Sequence, residues 1–225
     1  APSRGAGLYD HLYLHPLPDS IGGTLSSSRA RRIRPMHFDG SVAAAPPRWI
    51  GAFGRHRPGV YVTFGTEVAS LAPWGEILEA LRSADVDAVA TIGSSIEQAE
   101  LGHVPPNVRV ERFVPQGFVL SRTSAVVSHA GSGTAFAAAS RGIPQLCMPI
   151  AADQWSNSDA LTAAGAAITL ESDERSAAGI GASLAGLLGD SAYTETASAI
   201  AHDFAELAHP SEFVHTIEAL APLSY

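Results

Sequence analysis

Ser128-His129-Ala130-Gly131-Ser132-Gly133-Thr134 separates the apolar run Ala125-Val126-Val127 from the run Ala135-Phe136-Ala137-Ala138-Ala139. The first run reads as a buried strand and the second as a helix, so the glycines stand where a strand hands over to a helix. At such a junction unpaired N–H groups and the positive end of the helix dipole favour an anion. His129, the Ser132 and Thr134 hydroxyls and the consecutive N–H groups form a donor set suited to a diphosphate, and Gly131 and Gly133 allow close backbone approach. A tight turn with no ligand uses glycines in the same way. The two readings separate on Asp153-Gln154, about one helix and one strand further on, where a carboxylate and an amide can take sugar hydroxyls. Taken alone, that pair is also accounted for by an acid complementing the dipole of the next helix.

From Gly59 onward strand and helix patterns alternate. Strands are predicted over 60–64, 86–92, 108–112, 125–128, 145–148 and 167–170. Helices are predicted over 74–82, with Ile77, Leu78 and Leu81 on one face, and over 134–141, stopped by Gly142 and Pro144. A third runs to Gly165 from a cap at Ser156 or Asn157, and others cover 175–188, 191–208 and 211–220. This pattern predicts an α/β fold with a Rossmann-like parallel six-stranded sheet and helices on both faces. Residues 59–208 form the predicted binding domain, 1–58 a linker or the tail of another unit, and 209–225 a C-terminal helix and tail.

In such a sheet ligands bind outside the carboxyl ends of the strands. Five polar loops fall on that edge: Gly65-Thr66, Gly93-Ser94-Ser95, Val114-Pro115-Gln116, His129 to Thr134, and Asp153-Gln154. Gly65 and Thr66 are placed to touch a phosphate, or simply to end a strand. Phe113 suits stacking on a flat base, with a backbone group of Val114 bonding the base edge, and suits an ordinary core equally well. Trp155 is likewise open between a sugar face and the core.

With 225 residues, 46% hydrophobic and 16% charged, the chain can bury a full core. No apolar run approaches the ~18–20 residues of a membrane span. The single cysteine, Cys147, excludes an internal disulfide and suits a reducing cytoplasm, the expected location. The net charge is -8 and all 14 basic residues are arginine. Without lysine the chain can be neither a P-loop nucleotidase nor a pyridoxal phosphate enzyme. The one basic cluster, Arg29, Arg31, Arg32 and Arg34, lies in a Ser- and Gly-rich stretch, and nucleic acid is not an expected partner. Phe136 stands where a dinucleotide fingerprint needs its third glycine, and Ser132 has glycines directly on both sides instead of the Gly-x-Ser-x-Gly of a hydrolase elbow. His129, Asp153 and Asp159 do not form a metal-ligand spacing, so no metal or other cofactor is expected.

Several ordered motifs resemble the C-terminal donor-binding domain of GT-B fold family-1 glycosyltransferases, in particular those that decorate macrolides, enediynes and other bacterial natural products. They are Val62-Thr63-Phe64-Gly65-Thr66, Phe113-Val114-Pro115-Gln116, Ser128 to Thr134, Gly142-Ile143-Pro144-Gln145, Pro149 and Asp153-Gln154-Trp155-Ser156-Asn157, within about 58–208. The resemblance implies that His129 donates to the α-phosphate, that Ser132, Gly133 and Thr134 hold the diphosphate, that Val114 contacts the base, and that Asp153 and Gln154 bind the donor sugar. Ala130 stands where many members have a second glycine. It further implies a metal-independent inverting transfer from a dTDP- or UDP-sugar, with dTDP first, to a small-molecule acceptor. The family's general base is a histidine of an N-terminal acceptor-binding domain. His11 and His15 do not match its Gly-His setting, so no catalytic residue is expected in this chain, and the base is expected in a preceding segment. Two other arrangements stay open: a stand-alone donor-binding subunit with a separate acceptor-binding partner, and a GT-B-like nucleotide-sugar epimerase.

Overall fold

The central strands of the main sheet are mostly apolar and buried on both faces, whereas the edge strand over 108–111 alternates Val with Arg109 and Glu111, and in the computed structural model all six strands pair in parallel. The structure describes residues 11–22, 25, 27–36 and 45–220. In chain order the elements are β1 (Tyr13–His15), α1 (Asp19–Gly22), β2 (Ala30–Arg32), β3 (Gly59–Thr63), α2 (Trp74–Ser83), β4 (Asp87–Thr91), β5 (Val108–Glu111), α3 (Gln116–Leu120) and β6 (Ala125–Ser128). They continue with α4 (Ser132–Ala139), β7 (Gln145–Cys147), α5 (Gln154–Ala163), β8 (Ala167–Thr169), α6 (Ala177–Gly189), α7 (Ser191–Ala205) and α8 (Val214–Leu220).

The main sheet runs β5-β4-β3-β6-β7-β8. The chain winds outward from β3 through β4 to β5, then returns beside β3 with β6 and winds the other way. The switch point therefore lies between β3 and β6, where Thr63 pairs with Ser128, and the crevice opens beyond it. The period of two along β3 divides the core. Val60, Val62 and Phe64 face α2 and α6 in one layer with Ile77, Leu81, Ile180 and Leu184. Tyr61 faces the other layer with Val89, Val126, Val119 and Leu120. A neighbouring cluster on that side joins Phe136, Leu161, Ile200 and Phe204.

The six strands lie where the apolar runs put them, to within one residue at each end. Four features differ from the sequence expectation. The helix expected over 134–141 starts earlier, at Ser132, because Gly131 is extended (φ -62, ψ 140) and hands directly into the helix. As a result Ser132, Gly133 and Thr134 lie in its first turn. The helix expected to start at a Ser156 or Asn157 cap begins at Gln154. The Gln154 amide oxygen accepts the N–H groups of Ile150 (2.7 Å) and Ala151 (2.9 Å) and closes the turn itself. The C-terminal helix expected over 211–220 is divided into a 3-10 turn, Pro210–Phe213, and α8.

Before residue 59, where a linker or the tail of another unit is expected, the structure adds elements that no period in the sequence predicts. Within its described part, β1 and β2 pair in parallel, and Ile21 of α1 packs among Leu161, Ile200 and Phe204. The arginines there are structural ties: Arg32 binds the Leu17 carbonyl and Asp19, and Arg34 binds the Ala205 carbonyl. Residues 1–10 and 37–44 of the expected linker, and 221–225 of the tail, fall outside the described residues.

Candidate functional site

The loops after β3, β6 and β7 leave the sheet on the same edge, and two of them carry strain. Ala130 (φ 60) and Ala152 (φ 56) are the non-glycine residues with left-handed backbone among the described residues, one beside His129 and the other beside Asp153. Each costs about 1–2 kcal/mol relative to an ordinary conformation, so something in the surroundings must hold both loops in place.

Asn157 supplies part of that hold. It is nearly buried on α5, and its Nδ2 donates to the Ala130 carbonyl (2.9 Å), to Asp153 Oδ2 (3.1 Å) and towards Ser132 Oγ (3.2 Å). Ser132 Oγ donates to the same Asp153 oxygen at 2.5 Å. Thus one amide and one hydroxyl join the loop after β6 to the start of α5. The Asp153 carboxylate is exposed and held below the usual carboxylate range, first by the Ser132 hydrogen bond, against a smaller opposing effect of burial, and then by Asn157.

No side chain caps α4, since Gly131 occupies the N-cap, so its first-turn N–H groups point out of the helix unpaired. Thr134 Oγ1 accepts from Gln116 Nε2 at 3.0 Å, which turns the hydroxyl into an acceptor on that side and keeps its own proton for another partner. The His129 ring lies beside Gly65, Gly131 and Phe64, its centroid 6.1 Å from the Phe64 ring. Its Nδ1 is buried and points towards the Thr63 carbonyl without reaching an aligned hydrogen bond, while Nε2 lies at the Gly131 side.

Gly131 is required by that ring. A Cβ there would stand 2.4 Å from His129 Nε2. Gly131→Ala is expected to displace the imidazole and to destabilise the fold by about 1–3 kcal/mol, as overpacking does. Thermal unfolding checks this, and an unchanged midpoint contradicts it.

Burial lowers the His129 imidazole below its ordinary 6.5, opposed by the Thr63 carbonyl and the Asp153 charge. The unfolded chain therefore binds this proton more readily than the folded one. Stability is fully present above about pH 6.5 and falls as the pH drops through the window beneath it. His15, held low by burial and by Arg32, adds to the same window. The depressed Asp153 contributes in the same direction at lower pH, its stabilisation being lost as the pH falls through its folded value. His129→Gln is expected to reduce the fall in stability below about pH 6.5 without abolishing it, because His15 remains. Unfolding midpoints across that range test this, and a slope equal to that of the unmodified chain contradicts it.

Of the other sequence candidates, Gly65 takes φ 67 against His129, and Thr66 is exposed beside it. Phe113 is 70% exposed at the end of β5, so the core reading of this ring is excluded, whereas the Val114 side chain is buried. The Val114 backbone N–H and C=O have no partner among the described residues, which leaves both for a ligand edge. Trp155 is half-buried. Gln154 differs most from expectation: it is buried and its oxygen is committed to backbone, so only its NH2 remains to donate. The sequence places Gln116 in a loop of the binding edge and offers Asn157 as a helix cap, but gives neither side chain a contact of its own in the site. The spacing of Asp153 and Asn157, four apart on one helix and hence side by side, is the signal that could have revealed the latter. A cavity of about 710 Å³ lies between α2 and α6, lined by Pro58, Asp85 and Val86 at the opposite edge of the sheet, and holds none of these groups.

Against known proteins, residues 75–220 match the family described as erythromycin biosynthesis protein CIII-like, C-terminal domain. An L-demethylnoviosyl transferase of Streptomyces niveus is 34% identical over 173 residues, covering 75% of this chain and 45% of that protein. A TDP-daunosamine transferase of Streptomyces peucetius, DnrS, is 31% identical over 212 residues, covering 90% of this chain and 49% of its own. Among solved structures, the spinosyn rhamnosyltransferase SpnG in complex with thymidine diphosphate superposes with a TM-score of 0.80 at 29% identity, covering 92% of this chain and 56% of that one. The chain thus spans about half the length of the relatives it matches. These matches agree with the resemblance drawn from the loops, to the C-terminal, donor-binding domain of GT-B glycosyltransferases of bacterial natural-product type. By its sequence and by its fold, the chain belongs to the erythromycin biosynthesis protein CIII-like C-terminal domain family.

Proposed function

We propose that the chain is the nucleotide-sugar-binding half of an inverting glycosyltransferase, which moves a sugar from a dTDP-sugar to a small natural-product acceptor. The observation that carries this reading is the uncapped N-terminus of α4, with His129 beside it and Asp153 tied to its first residue. An acceptor oxygen bonds to the anomeric carbon while the bond from that carbon to the β-phosphate oxygen breaks. Charge then accumulates on the diphosphate. The α4 N–H groups and the Thr134 hydroxyl are donors fixed before that charge appears, which is the arrangement that stabilises a developing anion, and His129 joins them through Nε2 when the diphosphate's charge holds its ring protonated. Asp153 accepts sugar hydroxyls, the Gln154 NH2 donates to one, and Phe113 with the Val114 backbone holds the base.

The relatives support this reading. One is named for a TDP-sugar it transfers, and another was solved with thymidine diphosphate. The proton of the acceptor hydroxyl goes to a base that we place in an acceptor-binding segment beyond these residues. His15 is a poor alternative, since its Nδ1 already accepts the Leu17 N–H. Calorimetric titration of the chain with TDP and UDP tests the proposal. Binding is expected, TDP tighter than UDP, and no heat from either at millimolar concentration contradicts it.

A further inference from the structure

The Asp153 carboxylate stands unusually close to groups proposed to hold an anion. One of its oxygens takes the Ser132 hydroxyl, and Ser132 is the first residue of α4, whose free N–H groups form the phosphate cradle. Among the described residues Asp153 has no arginine or other cationic partner in an ion pair. Arg175, between β8 and α6, is turned to the Pro149 and Leu170 carbonyls. A negative charge is thus held by two hydrogen bonds, with the His129 imidazole nearby and no ion-pair partner, beside a site that must accept a diphosphate. Ser132 has one hydroxyl proton, which Asp153 and a phosphate oxygen must compete for.

That placement makes sense in terms of what changes during the proposed reaction. In the intact donor, the oxygen next to the sugar-binding residue is bonded to the anomeric carbon, and the sugar hydroxyls can donate to Asp153. After transfer that C–O bond is gone, the oxygen carries a full additional negative charge, and the hydroxyls have left with the product. The same carboxylate then faces an anion instead of donors.

We propose that Asp153 discriminates intact donor from spent nucleoside diphosphate, favouring the first through the sugar hydroxyls and expelling the second by charge repulsion and by claiming the Ser132 proton. Product release is thereby built into the sugar-binding residue. This rests on the donor-site reading given above.

The test is calorimetry of the unmodified chain and of Asp153→Asn with TDP and with TDP-glucose as the probe, at low and high salt. The substitution keeps the shape of an exposed side chain and removes its charge. Asp153→Asn is expected to bind TDP about 3- to 10-fold tighter than the unmodified chain at low salt, the size of one repulsive pair a few ångströms apart near water. The gain shrinks at high salt, and the preference for TDP-glucose over TDP falls. If the unmodified chain binds TDP and Asp153→Asn binds it equally or more weakly at low salt, the inference fails while the donor site stands. If neither protein binds TDP, the donor-site reading fails and takes the inference with it.

Discussion

Replacing His129 with alanine is expected to weaken TDP binding about 10- to 100-fold, because a hydrogen bond to a charged phosphate oxygen contributes about 1.5–3 kcal/mol. Nδ1 is buried and directed at the Thr63 carbonyl, which holds the proton on that nitrogen, so Nε2, at the Gly131 side, donates to a phosphate oxygen when the ring is protonated, a state that the diphosphate's charge favours against burial. The ring also packs beside Phe64, so alanine costs some stability as well, on the order of 1–2 kcal/mol. His129→Gln separates the two effects, since its amide keeps a donor at similar reach and is expected to recover part of the affinity. Equal TDP affinity in His129→Ala and the unmodified chain, measured by calorimetry, contradicts this role.

Asn157→Ala has the second large effect, on the fold as much as on binding. The substitution leaves the Ala130 carbonyl and Asp153 without their shared donor, in a spot where Ala130 is fully buried and already holds a left-handed backbone. Leaving buried groups unpaired costs about 2–3 kcal/mol here, or roughly 5–10 °C in the unfolding midpoint for a chain of this size. TDP affinity is expected to fall in parallel as the loop before α4 loses its position. Asn157→Asp keeps the shape but sets a second carboxylate beside Asp153, so one of the pair must hold its proton in the folded chain, and the added destabilisation grows as the pH rises through that raised value and is relieved on acidification. An unchanged midpoint in Asn157→Ala removes the clamp from the account.

The main sheet was legible because its central strands are mostly apolar runs such as Val60 to Phe64, closed there by Gly65, and because β-α alternation leaves few topologies. The pair β1 and β2 was not, since three residues are too few to show a period and what holds them is the distant packing of Ile21 and Arg34 on the α7 region. The starts of α4 and α5 were misplaced for a related reason. One is capped by a glycine with no side chain to announce it, and the other by a glutamine that reaches back to backbone in the preceding turn. In the site, residues that carry chemistry on their face, His129, Ser132, Thr134 and Asp153, stood out. Gln116 acts on Thr134, 18 residues away, and Asn157 joins its helix neighbour Asp153 to Ala130, 27 residues away, and proximity of that long-range kind is created by the fold.

A structure of the chain bound to TDP tests the central claim most directly. The account predicts the diphosphate at the N-terminus of α4, within hydrogen-bond distance of the Ser132, Gly133 and Thr134 N–H groups and of His129 Nε2, with the base between Phe113 and the Val114 backbone. A diphosphate bound elsewhere, or at α4 with His129 turned away from it, contradicts the account.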